Sequence, residues 1–131
     1  MKTVEVVAAI IRGEACVLAT QRADGELAGG WEFPGGKVEP GETREDALRR
    51  EIKEELDADV AVDTFFQTVA WEEGGYRRVM HCYLCSLPDG HYQLLEHQDA
   101  RWLHRDELDD VAWLPADAEI LGALKEALKE A

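Results

Sequence analysis

Apolar positions recur along this chain in two rhythms, one suited to strands and one to helices. Residues 4–11 form a continuous, β-branched-rich run, the pattern of a strand covered on both faces. Arg12-Gly13-Glu14 supplies a turn, and residues 15–20 read as the hairpin partner. A glycine-containing loop over residues 22–30 leads to a short strand, Trp31-Glu32-Phe33, halted by Pro34-Gly35-Gly36 and followed by a turn at Pro40-Gly41. Further strands are predicted over residues 60–70 and 79–87, joined through Glu72-Glu73-Gly74-Gly75. Tyr92-Gln93-Leu94 and Ala100-Arg101-Trp102-Leu103 are shorter candidates, and residues 105–108 suggest a helical turn.

The helical rhythm is clearest over residues 43–56. Thr43 is a suitable N-cap, Glu45 and Asp46 occupy the first turn, and Leu48, Ile52 and Leu56 form an apolar stripe. Asp57 stands where a left-handed C-cap residue is expected, a conformation Asp tolerates less well than Gly. A second helix is predicted over residues 115–131, with Ala118, Leu121, Leu124 and Leu128 on its apolar side. No internal repeat or linker interrupts the pattern. The expectation is one α/β domain over residues 1–131, a single mixed sheet carrying two main helices.

Composition narrows the function. At 131 residues, 46% hydrophobic and 32% charged, the chain can bury a core without disulfides or a structural metal. No apolar run approaches the roughly 20 residues needed to span a bilayer. The opening Met1-Lys2-Thr3-Val4-Glu5 places an acid inside the first apolar stretch, unlike a secretory signal, so a cytoplasmic protein is expected. The net charge is −14, from 28 Asp and Glu against 14 Lys and Arg. Such a surface repels a nucleic-acid strand, but a small polyanion remains a possible substrate where a divalent cation neutralises charge locally. Cys82 and Cys85 have C-x-x-C spacing within a predicted strand, which turns them to opposite faces; they and Cys16 read as buried thiols. His81, on the same strand, reads as a satisfied structural histidine.

Chemistry concentrates on the first helix. Glu51, Glu54 and Glu55, three and four residues apart, share one helical face beside the Leu48/Ile52/Leu56 stripe. Clustered carboxylates repel unless a cation compensates, and oxygen-only ligands select a hard ion such as Mg²⁺ or Mn²⁺. An acidic solvated face would show the same spacing. Just upstream, Pro34-Gly35-Gly36-Lys37 lets backbone approach a metal or phosphate without a Cβ, beside a cation.

Taken together, Gly36-x5-Glu42-x7-Arg50-Glu51-Ile52-x-Glu54-Glu55-x-Asp57-Ala58 resembles the signature box of the Nudix hydrolases. Two positions depart from that pattern: Asp57 replaces a glycine and Ala58 a bulky aliphatic residue. The resemblance continues through Gln21-Arg22, Trp31-Glu32-Phe33-Pro34-Gly35-Gly36-Lys37, Glu96-His97-Gln98 and Leu114-Pro115-Ala116-Asp117, and is strongest with MutT-type and CTP-hydrolysing members. It implies an α/β/α sandwich with a mixed sheet and a pyrophosphohydrolase that requires Mg²⁺, with Mn²⁺ as an alternative.

The same resemblance implies roles. Glu51, Glu54 and Glu55 hold metal with a backbone carbonyl of Gly35 or Gly36, and Glu96 is a further ligand. Glu51 or Glu54 takes a proton, and Arg50 orients Glu42 or Glu51. Arg22 and Lys37 face the phosphates, while Glu32, Phe33 and Arg77 are further substrate contacts, with Arg78 a rival to Arg77. Asp117 reads the base edge or, alternatively, caps the last helix or sits in its first turn; Trp113 and Tyr76 are other aromatic candidates. The leading expectation is hydrolysis of a CTP-like or oxidised nucleoside triphosphate to monophosphate and pyrophosphate. The partner is then a small nucleotide, with no nucleic-acid polymer and no membrane, and the protein is a monomer or homodimer. A diadenosine polyphosphate is the alternative substrate, kept open by Tyr76. ADP-ribose is disfavoured because no proline occurs between Pro40 and Pro88. A non-catalytic nucleotide sensor is disfavoured because Glu51, Glu54 and Glu55 are all present.

Overall fold

The computed structural model describes residues 1–129. Its strands are β1 (Lys2–Ile11), β2 (Cys16–Arg22), β3 (Trp31–Glu32), β4 (Gly35–Lys37), β5 (Ala61–Glu73), β6 (Tyr76–Ser86) and β7 (His97–His104). The helices are α1 (Arg44–Leu56), α2 (Pro115–Ala118) and α3 (Leu121–Lys129), with a 3-10 segment at Arg105–Asp110.

The strands form two sheets and not the single one expected: β4-β1-β6-β5, which is mixed, and β3-β2-β7, which is antiparallel. The predicted β1–β2 hairpin keeps its turn, with Gly13 N–H donating to Cys16 O, but closes only at the Arg12–Val17 bridge. Beyond it the strands part. β1 is buried on both faces and pairs in parallel with β6, from Lys2–Tyr76 to Ile11–Cys85. Alternation along β1 sends Ala8 and Ile10 to one core and Val7, Ala9 and Ile11 to the other. The first core lies under α3, the second under α1, giving helix, sheet and helix layers. Cys82 and Cys85 fall in opposite cores, as the strand period requires.

α1 forms for the reasons its sequence supplies. Thr43 Oγ1 accepts from Asp46 N–H at 3.1 Å. Leu48, Ile52 and Leu56 are fully buried, each contributing about 1.5–3 kcal/mol. Asp57 ends the helix in the left-handed region at φ 50°, ψ 38°, and its N–H returns to Lys53 O. The predicted Tyr92-Gln93-Leu94 strand does not form. Instead Gln93 N–H and Leu95 N–H donate to Leu56 O and Glu55 O, satisfying carbonyls that a helix end leaves open. This fastens the segment preceding Glu96 to the end of the acidic helix.

The predicted second helix is broken. Glu119 N–H and Ile120 N–H bond three residues back, to Ala116 and Asp117, which tightens the turn between α2 and α3. Asp117 and Ile120 face inward and Ala118 is exposed, so Ala118 leaves the apolar stripe. Residues 130–131 of the predicted helix lie outside the described residues.

Candidate active site

β4 and α1 make the acidic wall of a cleft, and glycines set their spacing. A Cβ on Gly35 would lie 1.9 Å from Val7 O, so the close β1–β4 pairing needs glycine. A Cβ on Gly36 would lie 2.4 Å from Glu51 Cδ, so its absence makes room for that carboxylate. The cleft, of about 330 Å³, is lined by Glu51 and Glu55 from α1, Glu32 from β3, Glu96 and His97 near the start of β7, Gly35, and Arg22 with the loop after it.

Arg50 is the organiser of the box. Its Nε and Nη2 donate to both oxygens of Glu42 at 2.7 and 2.9 Å, Nη1 donates to Glu51 Oε1 at 2.9 Å, and Nη2 also reaches Lys37 O at 3.0 Å. The guanidinium holds the Glu42 carboxyl down to about 2. Glu54, about half exposed, is reached by the same guanidinium at 3.4 Å and lies outside the cleft lining.

Glu55 is the strained member. It is 5% exposed, and Oε2 is buried without a hydrogen-bond partner. Burial pushes its carboxyl upward, and the neighbouring Glu51, Glu32 and Glu96 push the same way. Glu32 behaves oppositely: burial alone would raise it, but hydrogen bonds from His97 and Arg22 outweigh burial and hold it below the usual carboxylate range. Arg22 Nη2 meets Glu32 Oε1 at 2.6 Å, and Nη1 holds Glu26 O at 3.0 Å.

These features fit a hard divalent cation. The donors are oxygens, one of them is buried and unpaired, and Gly36 lets the Glu51 carboxylate lie close against the β4 backbone. Among the described residues no three His, Cys, Asp or Glu side chains converge as a finished ligand set. A cation would offset the repulsion among these carboxylates.

The other predicted residues separate by face. Lys37 is exposed, and its pairing with Val6 turns it to the side opposite Glu51. Phe33 is 3% exposed and stacked on Trp113 at 4.6 Å, so its ring already has a partner. Asp117 is 6% exposed and accepts Phe33 N–H at 2.9 Å. Burial pushes its carboxyl up to about 7, against the opposing Phe33 bond. It occupies the first turn of α2, whose N-cap is Leu114, which settles its helical position and removes the capping alternative. Arg77 is exposed and shares a face with Val79 and His81, away from Asp117's core. Arg78 alternates to the Met80 and Cys82 face, is half-buried, and pairs with Glu73 at 3.3 Å. Tyr76 stands beside the Gly74-Gly75 turn, outside the acidic cleft. His81 is satisfied, lying 2.9 Å from Thr68 Oγ1 and 3.1 Å from Glu5 Oε1.

Sequence reasoning missed His97 as a site residue. Its ring is buried, with Nε2 3.2 Å from Glu32 Oε2 and 3.5 Å from Glu55 Oε1. Adjacency to Glu96 was the available signal; the side to which a strand residue turns was not.

Comparison with known proteins agrees with this construction. The NUDIX domain model matches residues 1–126. The chain is 40% identical over 126 residues to a CTP pyrophosphohydrolase of Escherichia coli K12, covering 94% of this chain and 92% of that protein. It is 38% identical over 121 residues to a putative 8-oxo-dGTP diphosphatase 2 of Mycobacterium tuberculosis H37Rv, covering 89% and 84%. The solution structure of the E. coli ORF135 protein superposes with a TM-score of 0.81 at 40% identity, covering 98% of this chain and 92% of that one. With the box acids on one helix, the glycine seat beside them and a domain match running almost end to end, this chain belongs to the NUDIX family.

Proposed function

We propose that this protein is a Mg²⁺-dependent pyrophosphohydrolase that converts a CTP-like or oxidised nucleoside triphosphate to its monophosphate and pyrophosphate, with Mn²⁺ able to replace Mg²⁺. The observation that carries this reading is the crowding of Glu51, Glu55, Glu32 and Glu96 around one cleft that Arg22 also lines. The relatives named for CTP and 8-oxo-dGTP hydrolysis support the substrate class.

The chain's own groups have distinct tasks. A bound divalent cation would neutralise phosphate oxygens and make a water more acidic. Glu51 and Glu55, with Gly36 beside them, would hold it, while Arg50 keeps Glu51 within reach. Arg22 presents a forked guanidinium to the phosphates from the far side, anchored meanwhile by Glu32. Asp117 lies at the aromatic end with Phe33 and Trp113, where a carboxylate selects among base edges by accepting from an exocyclic amine.

A product-release assay tests the proposal. Protein with Mg²⁺ is offered CTP, dCTP, 5-methyl-dCTP, 8-oxo-dGTP, ADP-ribose and a diadenosine polyphosphate, beside a Glu51→Gln control. Monophosphate and pyrophosphate from a triphosphate, lost in the control, is the expected result. Cleavage confined to ADP-ribose or the dinucleotide overturns it.

A further inference from the structure

His97 owes its position to an irregularity in the β2–β7 ladder. The register runs Cys16–His104 through Gln21–Asp99, and then shifts so that Arg22 faces His97 instead of Gln98. A bulge of this kind re-aims a side chain. Here it brings the imidazole of β7 into the cleft, opposite Arg22 of β2. The ring is 4% exposed, Nδ1 has no hydrogen-bond partner, and Nε2 lies within reach of carboxylates from β3 and α1.

Glu32 and Glu55 are two acids in a poorly hydrated space, so their charges oppose close approach. The His97 Nε2 lies 3.2 Å from Glu32 Oε2, within hydrogen-bond distance, and 3.5 Å from Glu55 Oε1, where an N–H offsets that repulsion. It also completes a chain of contacts from Arg22 through Glu32 and His97 to Glu55. Arg22 and Glu32 belong to the three-stranded sheet and Glu55 to the helix covering the other side, so this chain spans two parts of the fold.

We propose that His97 is a positioning residue whose Nε2–H fixes Glu55 relative to the Arg22–Glu32 pair, so that one imidazole couples cation binding on α1 to phosphate capture by Arg22. The proposal rests on the cleft being the site of cation-assisted hydrolysis. It touches neither phosphate nor cation itself; it sets the distance between the groups that do.

The choice of substitutions separates positioning from space-filling. A Gln amide nitrogen can take the place of Nε2, whereas that of Asn reproduces Nδ1, and Leu fills space with no donor. Binding of Mn²⁺ without nucleotide is measured by calorimetry, alongside KM, kcat and melting temperature. H97Q stays close to wild type in Mn²⁺ affinity. H97N and H97L lose on the order of tenfold in affinity and raise KM for the triphosphate, with cooperative melting retained.

Wild-type Mn²⁺ affinity in H97L, or equal losses in H97Q and H97N, overturns the proposal and leaves His97 as filler. If H97L fails to fold, the H97Q and H97N pair decides. Mn²⁺ binding is read without substrate, so a wild type that binds Mn²⁺ but turns over no triphosphate refutes the substrate reading and leaves His97 to be judged on affinity. A wild type that binds no Mn²⁺ overturns both.

Discussion

The acidic cleft and the buried aromatic end around Asp117 are built by opposite means. At the acidic end, charge is crowded: Glu51, Glu55, Glu32 and Glu96 share one opening, and Glu55 keeps an unpaired buried oxygen. At the aromatic end charge is sparse: a single carboxylate is buried among Phe33, Trp113 and the first core, and its one short bond goes to a backbone amide. The first arrangement carries repulsion that a cation would offset. The second is settled before any ligand arrives. The contrast is between crowded charge in an open cleft and a single carboxylate settled in a packed interior.

The largest expected effect comes from removing charge at the crowded end. Glu51→Gln should lower kcat by about 10²–10⁴-fold while leaving the melting temperature near that of wild type, since it relieves repulsion among the cleft carboxylates. Equal loss of activity and stability would contradict a functional reason for the crowding.

The adjacent glycines give a sharper comparison. In Gly36→Ala the new methyl meets the end of the flexible Glu51 side chain, so the carboxylate moves and the fold survives. Activity should fall by roughly tenfold or more through the lost cation seat. In Gly35→Ala the methyl meets β1 backbone, which cannot give way cheaply. That variant should lose stability first, by about 1–3 kcal/mol. Thermal melting and kcat measured on both variants check the division; similar profiles would erase it.

The smallest effect belongs to the aromatic end and depends on pH. Burial raises Asp117 from its ordinary value to about 7, with Glu32 adding to the rise and Arg22 and the Phe33 amide opposing it. A raised folded pKa contributes stability at low pH that is lost as pH climbs through about 7. Asp117→Asn has no such loss, so its melting temperature relative to wild type should rise between about pH 4 and pH 7, within a linkage ceiling of about 4 kcal/mol. A difference independent of pH would show that the carboxyl titrates normally.

The two ends also differ in how far the sequence reveals them. The helix, its Thr43 cap, its left-handed Asp57 and the shared face of Glu51 and Glu55 all follow from spacing within a dozen or so residues, so local periodicity suffices. The aromatic end joins Phe33 to Asp117 across 84 positions, a contact no local period encodes. The same limit hid the separation of β1 and β2 into different sheets, because β1 prefers a parallel partner beginning at Tyr76. It also hid His97, whose direction depends on a ladder shift opposite Arg22. The predicted helix over residues 115–131 is interrupted at Glu119 and Ile120, whose N–H groups bond three residues back. Lys37 and Arg77 illustrate parity, since a shift of one position on a strand reverses the face.

The most direct test of the central claim is calorimetric titration of Mn²⁺ into the nucleotide-free protein and into a Glu51→Gln/Glu55→Gln variant. A saturable site in the wild type, abolished in a variant that melts at least as high, is the predicted result. A wild type without saturable binding, or a variant that binds as tightly, would contradict the assignment of the crowded carboxylates to a cation.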